Sequence, residues 1–239
     1  MVVGFGGHRV RFLLGERDGR FFLLRDELMS ENEHEARDRR IARHEASHLT
    51  CGRALGAKFG GATITENPDL GFSGLCWGPD FESRFAGEIS SVIEQIDELM
   101  PRDGDARDAE TAPIFQHVFN RVTELTAGSE GEKLHFGDAW TASDDRQQEQ
   151  QLAALIYSSP EAQGIFISAC AAEARAILRR HEDVVDALAA ALLEHREIDA
   201  VVIESTISRT VAARQLADEH ERRKRWQGVI INASSFKTK

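Results

Sequence analysis

Apolar and polar residues recur with helical spacing over most of the chain after residue 80. This pattern, rich in Ala and Leu, predicts helices near residues 82–100, 112–127, 143–158, 161–180, 183–196 and 199–225. Pro160 lies at one of these boundaries, where a proline is well tolerated. The hydrophobic pattern therefore predicts a mainly α fold.

An earlier helix is predicted from about Ser30 to about Leu55. Ser30 followed by Glu33 has the capping-box pattern, and the stretch contains no proline and no glycine before Gly52. The glycine pair at 60–61 then ends the helical pattern.

A short strand is predicted directly after this helix. Residues Ala62, Thr63, Ile64 and Thr65 alternate between apolar and polar, and turn formers follow them. We therefore expect a small sheet next to the helix, which gives an α+β fold dominated by helices.

A hairpin is predicted over 10–28, and the polar loop over 101–108 is a candidate for mobility.

The predicted helix carries the five residues HEASH, from His44 to His48. Positions i and i+4 share one face of a helix, so both imidazoles can bind one metal ion, and zinc is the usual ion at this spacing. Glu45 would then act as general base on water activated by the metal. Iron, cobalt and manganese also occupy similar sites of nitrogen and oxygen ligands.

Three blocks of sequence resemble the peptidase domain of the FtsH-type zinc proteases, and together they cover roughly residues 35–208. The first, ARHEASHLTCGRALGAKFGGATITENPDLGF, is similar to the family's HEAGHA helix and following strand, with Ser47 in place of the usual glycine. The second runs over 123–156: Ala127, Gly128 and Glu132 match the family's A-G-R-A-A-E, and Ala142, Ser143 and Asp145 match its G-A-x-x-D segment. The third, over 172–199, resembles the helical hairpin that closes the domain.

The resemblance implies a third metal ligand, Asp145, beside His44 and His48. Asp145 falls in the first turn of a predicted helix, where the helix dipole favours a negative charge. Its neighbour Asp144 remains an alternative, as do the downstream acids Glu66, Glu82 and Glu88. The resemblance also implies that the strand Ala62–Thr65 is an edge strand that binds an extended peptide.

These expectations describe an ATP-independent zinc metalloendopeptidase that cleaves unfolded proteins or peptides. The sequence contains no G-x-x-x-x-G-K-[ST] motif, so we expect no ATP binding, unlike the FtsH family. The family forms rings of six, and a homo-oligomer is left open here. Two other hypotheses about function stay open: a catalytically silent interaction module with this fold, and a zinc hydrolase of a non-peptide amide.

Composition favours a cytoplasmic enzyme. The net charge of -11 disfavours general nucleic-acid binding. No apolar run reaches the ~20 residues of a membrane span, the N-terminus lacks a secretory pattern, and three widely spaced cysteines do not suggest disulfides. The basic run His220–Arg225 could dock on an acidic partner or RNA, or simply be a solvated helix end.

We expect a hairpin-like extension at 1–29, the peptidase-like domain at 30–215 and a charged tail at 216–239.

Overall fold

The computed structural model describes residues 31–66, 73–79, 111–140 and 143–235. Within these ranges, six helices and one three-stranded antiparallel sheet form the fold, which confirms the predicted mainly α class with a small sheet. The helices are α1 (Glu31–Ala54), α2 (Thr111–Phe136), α3 (Ser143–Ile156), α4 (Pro160–Arg180), α5 (Glu182–His195) and α6 (Ala200–Ser235). The strands are β1 (Gly61–Thr63), β2 (Leu75–Trp77) and β3 (Glu197–Asp199).

Most predicted helices lie within two residues of the observed ones, but two were predicted too short. Helix α2 continues to Phe136 although the prediction ended it at 127, and α6 continues to Ser235 rather than 225. Glycines at 128 and 131 weaken the helical pattern of α2, yet both lie where α2 packs tightly against α1. The predicted helix over 82–100, the hairpin over 10–28 and the loop over 101–108 lie outside the described residues.

Helices α4 and α5 form a hairpin, and residues at their ends determine where each helix begins and ends. The Ser159 side chain accepts a hydrogen bond from the amide of Ala162, and Pro160 opens α4. His181 separates the two helices, with its amide bonded to the carbonyls of the last turn of α4. Arg196 ends α5 in a left-handed conformation, with φ at 62°, and leads directly into β3.

The sheet has the order β2-β1-β3, so β1 is its central strand. Ala62 pairs with Cys76 on β2 and with Ile198 on β3. Strands β2 and β3 were not predicted, because each has only three residues and too short a pattern to detect.

Two hydrophobic clusters support the fold. One joins the inner face of α1 to β1, α5, the end of α4 and the start of α6, with Leu49, Ile64 and Leu188 among its most buried members. The other joins α2, α3 and the first half of α4, with Val122, Leu152 and Phe166 at its centre. Helices α1, α2 and α3 thus each belong to a packed cluster, which makes them a rigid base for polar groups between them.

The described residues from Arg37 onward form one compact unit. None of the helices in the described ranges combines the length and the apolar content needed to cross a lipid bilayer. The domain boundaries proposed after residues 29 and 215 stay predictions.

Candidate metal centre

Helix α1 presents His44 and His48 on one face, toward α2. Both side chains are buried, their Nε2 atoms are 2.9 Å apart, and the ring planes are inclined by 72°. The one-turn spacing predicted from the sequence therefore brings both Nε2 atoms to one point.

The first turn of α3 brings Asp145 to the same point. Its Oδ2 atom lies 3.1 Å from the Nε2 of His44 and 3.4 Å from the Nε2 of His48. Among the described residues, this trio is the group of His, Cys, Asp and Glu side chains whose ligand atoms converge, all within 4.8 Å of one another. Asp144 is exposed, and Glu66 instead pairs with Arg37 at 2.7 Å. Glu82 and Glu88 lie outside the described residues.

The outer nitrogens of both imidazoles are held by oxygen acceptors. The Nδ1 of His48 donates to the backbone carbonyl of Glu124 at 2.8 Å, and the Nδ1 of His44 lies 2.8 Å from the Oε1 of Glu132. A carbonyl or carboxylate oxygen can only accept, so each Nδ1 carries a hydrogen, and each ring directs the lone pair of Nε2 inward once a cation has displaced any proton held there. Two such lone pairs and a carboxylate oxygen in mutual contact are a donor set suited to a cation.

Glu132 is fully buried and connects three parts of the centre. Its Oε1 binds His44, while its Oε2 accepts from the backbone amide of Trp140 at 3.0 Å and lies 3.5 Å from Arg40. The Arg40 guanidinium also lies over the rings of Phe136 and Trp140, at 4.5 and 4.0 Å from their centroids. The segment that leads from α2 to Asp145 is thereby tied to the residue that orients His44.

Gly128 on α2 makes room for the two imidazoles. A Cβ atom at this position would lie 2.4 Å from the Nε2 of His44 and 2.5 Å from the Nε2 of His48. No side chain fits there without moving a histidine. Only glycine lets α2 approach closely enough for the carbonyl of Glu124 and the carboxylate of Glu132 to reach the rings.

Charge within the centre is strongly coupled. Burial lowers the pKa of His44, but the carboxylates of Asp145 and Glu132 outweigh it, and the protein groups alone raise this pKa to about 10. Burial likewise lowers the pKa of His48, while Asp145 raises it more. For Asp145, burial raises the pKa, but the two histidines lower it well below its usual range. The pocket thus favours a positive charge at the point where the three side chains meet.

Glu45, the predicted base, is buried beside the histidines. Burial raises its pKa, partly opposed by His44 and His48. The Sγ of Cys76 lies 3.1 Å from its Oε2, and burial together with Glu45 raises the pKa of the Cys76 thiol well above its usual value. Cys76 therefore stays a protonated donor toward the Glu45 carboxylate.

A further carboxyl, Glu149, lies one turn beyond Asp145 on α3 and is buried. Burial, followed by the charge of Asp145, raises its pKa to about 7. Neither Glu149 nor Cys76 was a candidate in the sequence analysis. The i+4 spacing from Asp145 could have indicated Glu149, whereas Cys76 reaches the site only through the pairing of β2 with β1.

The predicted substrate strand lies next to this centre. Its residues Ala62, Thr63 and Ile64 are buried and Thr65 is exposed. Ala62 and Thr63 are paired with neighbouring strands on both sides, so β1 is not at an edge of the described sheet, and the strand that contacts Glu45 is β2. The substrate-binding role of residues 62–65 stays a prediction.

Comparison with models of known protein families and with curated protein sequences gave no match. The chemistry of the centre follows from its own donor set. Two imidazoles and one carboxylate are the ligand set of zinc sites that keep one position open for a reactant. His44, His48 and Asp145 fit a divalent metal ion, and the ligand types leave its identity open.

Proposed function

We propose that this protein is a zinc-dependent metalloendopeptidase, similar to the peptidase domain of FtsH-type proteases, that hydrolyses unfolded proteins or peptides without ATP. The observation that carries the proposal is the convergence of His44, His48 and Asp145, with Glu45 buried beside them. Asp145 comes from a separate block of sequence, about one hundred residues after HEASH, as the family resemblance requires.

The roles of the residues follow from their chemistry. His44, His48 and Asp145 would hold the metal, which, when bound, polarises a carbonyl and makes water a stronger nucleophile at neutral pH. Glu45 takes a proton from the attacking water and delivers it to the leaving nitrogen as the C–N bond breaks. Glu132 and the carbonyl of Glu124 accept from Nδ1 of the two imidazoles, which favours the neutral tautomer whose Nε2 lone pair points toward Asp145.

The buried position of Glu45 supports its role as base. A carboxylate removed from water has a raised pKa and takes a proton more readily than an exposed one. Both histidines lower its pKa, which supports a proton acceptor close to the proposed ligands rather than on a separate surface.

Glu45→Gln tests the proposal, with Glu35→Gln as control, since Glu35 is exposed on the same helix. Zinc is measured by elemental analysis, and cleavage is followed with unfolded casein. We expect Glu45→Gln to retain zinc and to lose cleavage by about 100-fold or more, while Glu35→Gln behaves like the parent. Equal cleavage by Glu45→Gln and the parent would refute the role of Glu45.

The zinc-loaded parent protein also tests the two alternative functions, an interaction module and a hydrolase of non-peptide amides. A zinc-loaded parent protein that cleaves no protein or peptide, but binds a partner in stoichiometric amount, would favour an interaction module. Hydrolysis of non-peptide amides alone in a substrate panel would favour the hypothesis of a zinc hydrolase of such amides. The metal and the base do not themselves select the carbonyl.

A further inference from the structure

The segment from Ser73 to Trp77 lies directly against the carboxylate of Glu45. A Cβ atom at Gly74 would lie 2.5 Å from the Oε1 of Glu45, so only glycine lets the chain pass this close. Two residues later, the Sγ of Cys76 lies 3.1 Å from Oε2 and 3.4 Å from the backbone carbonyl oxygen of Glu45. Oε2 is therefore the oxygen that contacts the thiol of Cys76, and Oε1 is the oxygen that lies beside Gly74.

The sheet explains why Cys76 points at α1. Side chains alternate along a strand, so Cys76 directs its side chain to the face opposite that of Leu75 and Trp77. Its pairing partner Ala62 lies in the hydrophobic cluster with the inner face of α1, which places the thiol on the side of the helix. The pairing of β2 with the central strand thus sets the position of this sulfur relative to Glu45.

We propose that Cys76 is a positioning residue for the general base: its S–H donates to the Oε2 of Glu45 and holds the carboxylate in the orientation that accepts a proton through its other oxygen. This inference rests on the proposed function, because it assigns Glu45 the role of base. A thiol hydrogen bond is weak, but the acceptor here is a buried carboxylate, and hydrogen bonds to charged groups are the stronger ones. A carboxylate held in one rotamer also reacts from one geometry instead of several.

The other two cysteines show what is distinctive about this contact. Cys51 and Cys170 lie 3.7 and 4.0 Å from backbone carbonyl oxygens of α2, and neither touches a carboxylate in the described residues. Cys76 has the shortest of the three contacts, and its acceptor carries charge. Its thiol is thus neither one of the convergent metal ligands nor a simple packing group.

The first experiment compares Cys76→Ser, Cys76→Ala and the control Cys170→Ala with the parent in cleavage of an unfolded fluorogenic peptide, each loaded with zinc. We expect Cys76→Ala to lower kcat by about tenfold with KM and zinc content unchanged. Cys76→Ser keeps a donor and should recover most of kcat, while Cys170→Ala should match the parent. Equal losses in Cys76→Ser and Cys76→Ala, or no loss in either, would overturn the positioning role.

A second experiment detects the hydrogen bond between Cys76 and Glu45 without measuring catalysis. The S–H stretching band lies in an infrared region free of other protein bands and moves to lower frequency as its hydrogen bond strengthens. The band lost in Cys76→Ala should be the lowest of the three thiol bands, and Glu45→Gln should move it toward the other two. A Cys76 band that is insensitive to Glu45→Gln would overturn the inference even in an active protein. An inactive, zinc-loaded parent with the shifted band would refute the proposed function instead, leaving the contact itself intact.

Discussion

The carboxylate of Glu132 lies 2.8 Å from the Nδ1 of His44 and so determines which nitrogen of that imidazole faces Asp145. Two elements of the chain depend on this one side chain, because its other oxygen, Oε2, accepts a hydrogen bond from the backbone amide of Trp140, shortly before α3. The orientation of one candidate metal ligand and the chain segment before the other are therefore linked through a single buried side chain.

Replacing Glu132 with Gln should weaken zinc binding by about 10- to 100-fold, since groups that orient metal-bound histidines contribute affinity of this size. Zinc affinity is measured by competition with a chromophoric chelator. The control is Glu130→Gln: Glu130 is buried on the same helix but pairs with Arg175 and Lys133 at 2.7 Å each. Equal weakening in both variants would show that any lost carboxylate on α2 has this effect.

Asp145→Asn should lower zinc affinity further than Glu132→Gln, by at least about 100-fold, because it removes the anionic ligand itself. Asp144→Asn makes the same chemical change one residue earlier, on an exposed side chain. It should leave affinity within about a factor of two of the parent, as is usual for changes on the surface. A larger loss in Asp144→Asn than in Asp145→Asn would reverse the ligand assignment.

Gly128→Ala should remove zinc binding and destabilise the fold by about 1–3 kcal/mol, because the added methyl group overlaps both imidazoles. The matched control is Gly164→Ala in α4, where a Cβ atom meets nothing within 4 Å. That substitution should stabilise the protein by up to about 1 kcal/mol through helix propensity. Urea unfolding and zinc stoichiometry together check both outcomes, and a zinc-loaded Gly128→Ala protein would contradict the described fit.

Ser47 and Gly131 should be coupled in stability. A Cβ atom at Gly131 would lie 1.9 Å from the Oγ of Ser47, whose hydroxyl already donates to the carbonyl of Arg43 at 2.7 Å. Gly131→Ala alone should cost about 1–3 kcal/mol, and adding Ser47→Gly should recover part of it. A double-mutant cycle of urea unfolding should give a coupling energy of about 0.5–3 kcal/mol. Additive single effects would mean that the two helices move apart freely at this contact.

Zinc binding should weaken as the pH falls. The raised pKa of His44, about 10, means that the ring holds a proton across neutral pH unless a metal displaces it, whereas Asp145 stays ionised. Binding then releases at least one proton, so the dissociation constant for zinc should rise about tenfold for each pH unit between about pH 8 and 6. Calorimetry in buffers of different ionisation enthalpy counts the protons released, and a pH-independent affinity would contradict this charge arrangement.

Much of the centre could be predicted from the sequence because it depends on helical periodicity. Residues at i and i+4 lie on the same face of any α-helix. The prediction of helix α1 was therefore sufficient to predict that the rings of His44 and His48 lie close together. Asp145 could not be derived from spacing. It followed only from the resemblance of the block around residues 142–145, since the packing of α3 against α1 and α2 is a tertiary property.

The sheet and the close helix contacts were beyond the reach of local patterns. Three-residue strands such as β2 acquire their structure from pairing, so the contact of Cys76 with Glu45 had no signal in the sequence. The helix predicted over 112–127 ends just before Gly128 and Gly131, two residues of low helix propensity that lie where the helix approaches α1 closely. Local patterns do not contain such a tertiary contact.

The three converging ligands belong to two helices separated by roughly 100 residues of chain, so an ion bound there would act as a cross-link between distant segments. The entropy of closing such a loop grows only with the logarithm of its length, about 0.6 kcal/mol for each doubling. The entropy of loop closure therefore makes the metal affinity depend only weakly on the number of residues between the two helices. A single residue inserted between His44 and His48 would instead rotate one imidazole by about 100° around α1 and abolish the shared point of contact.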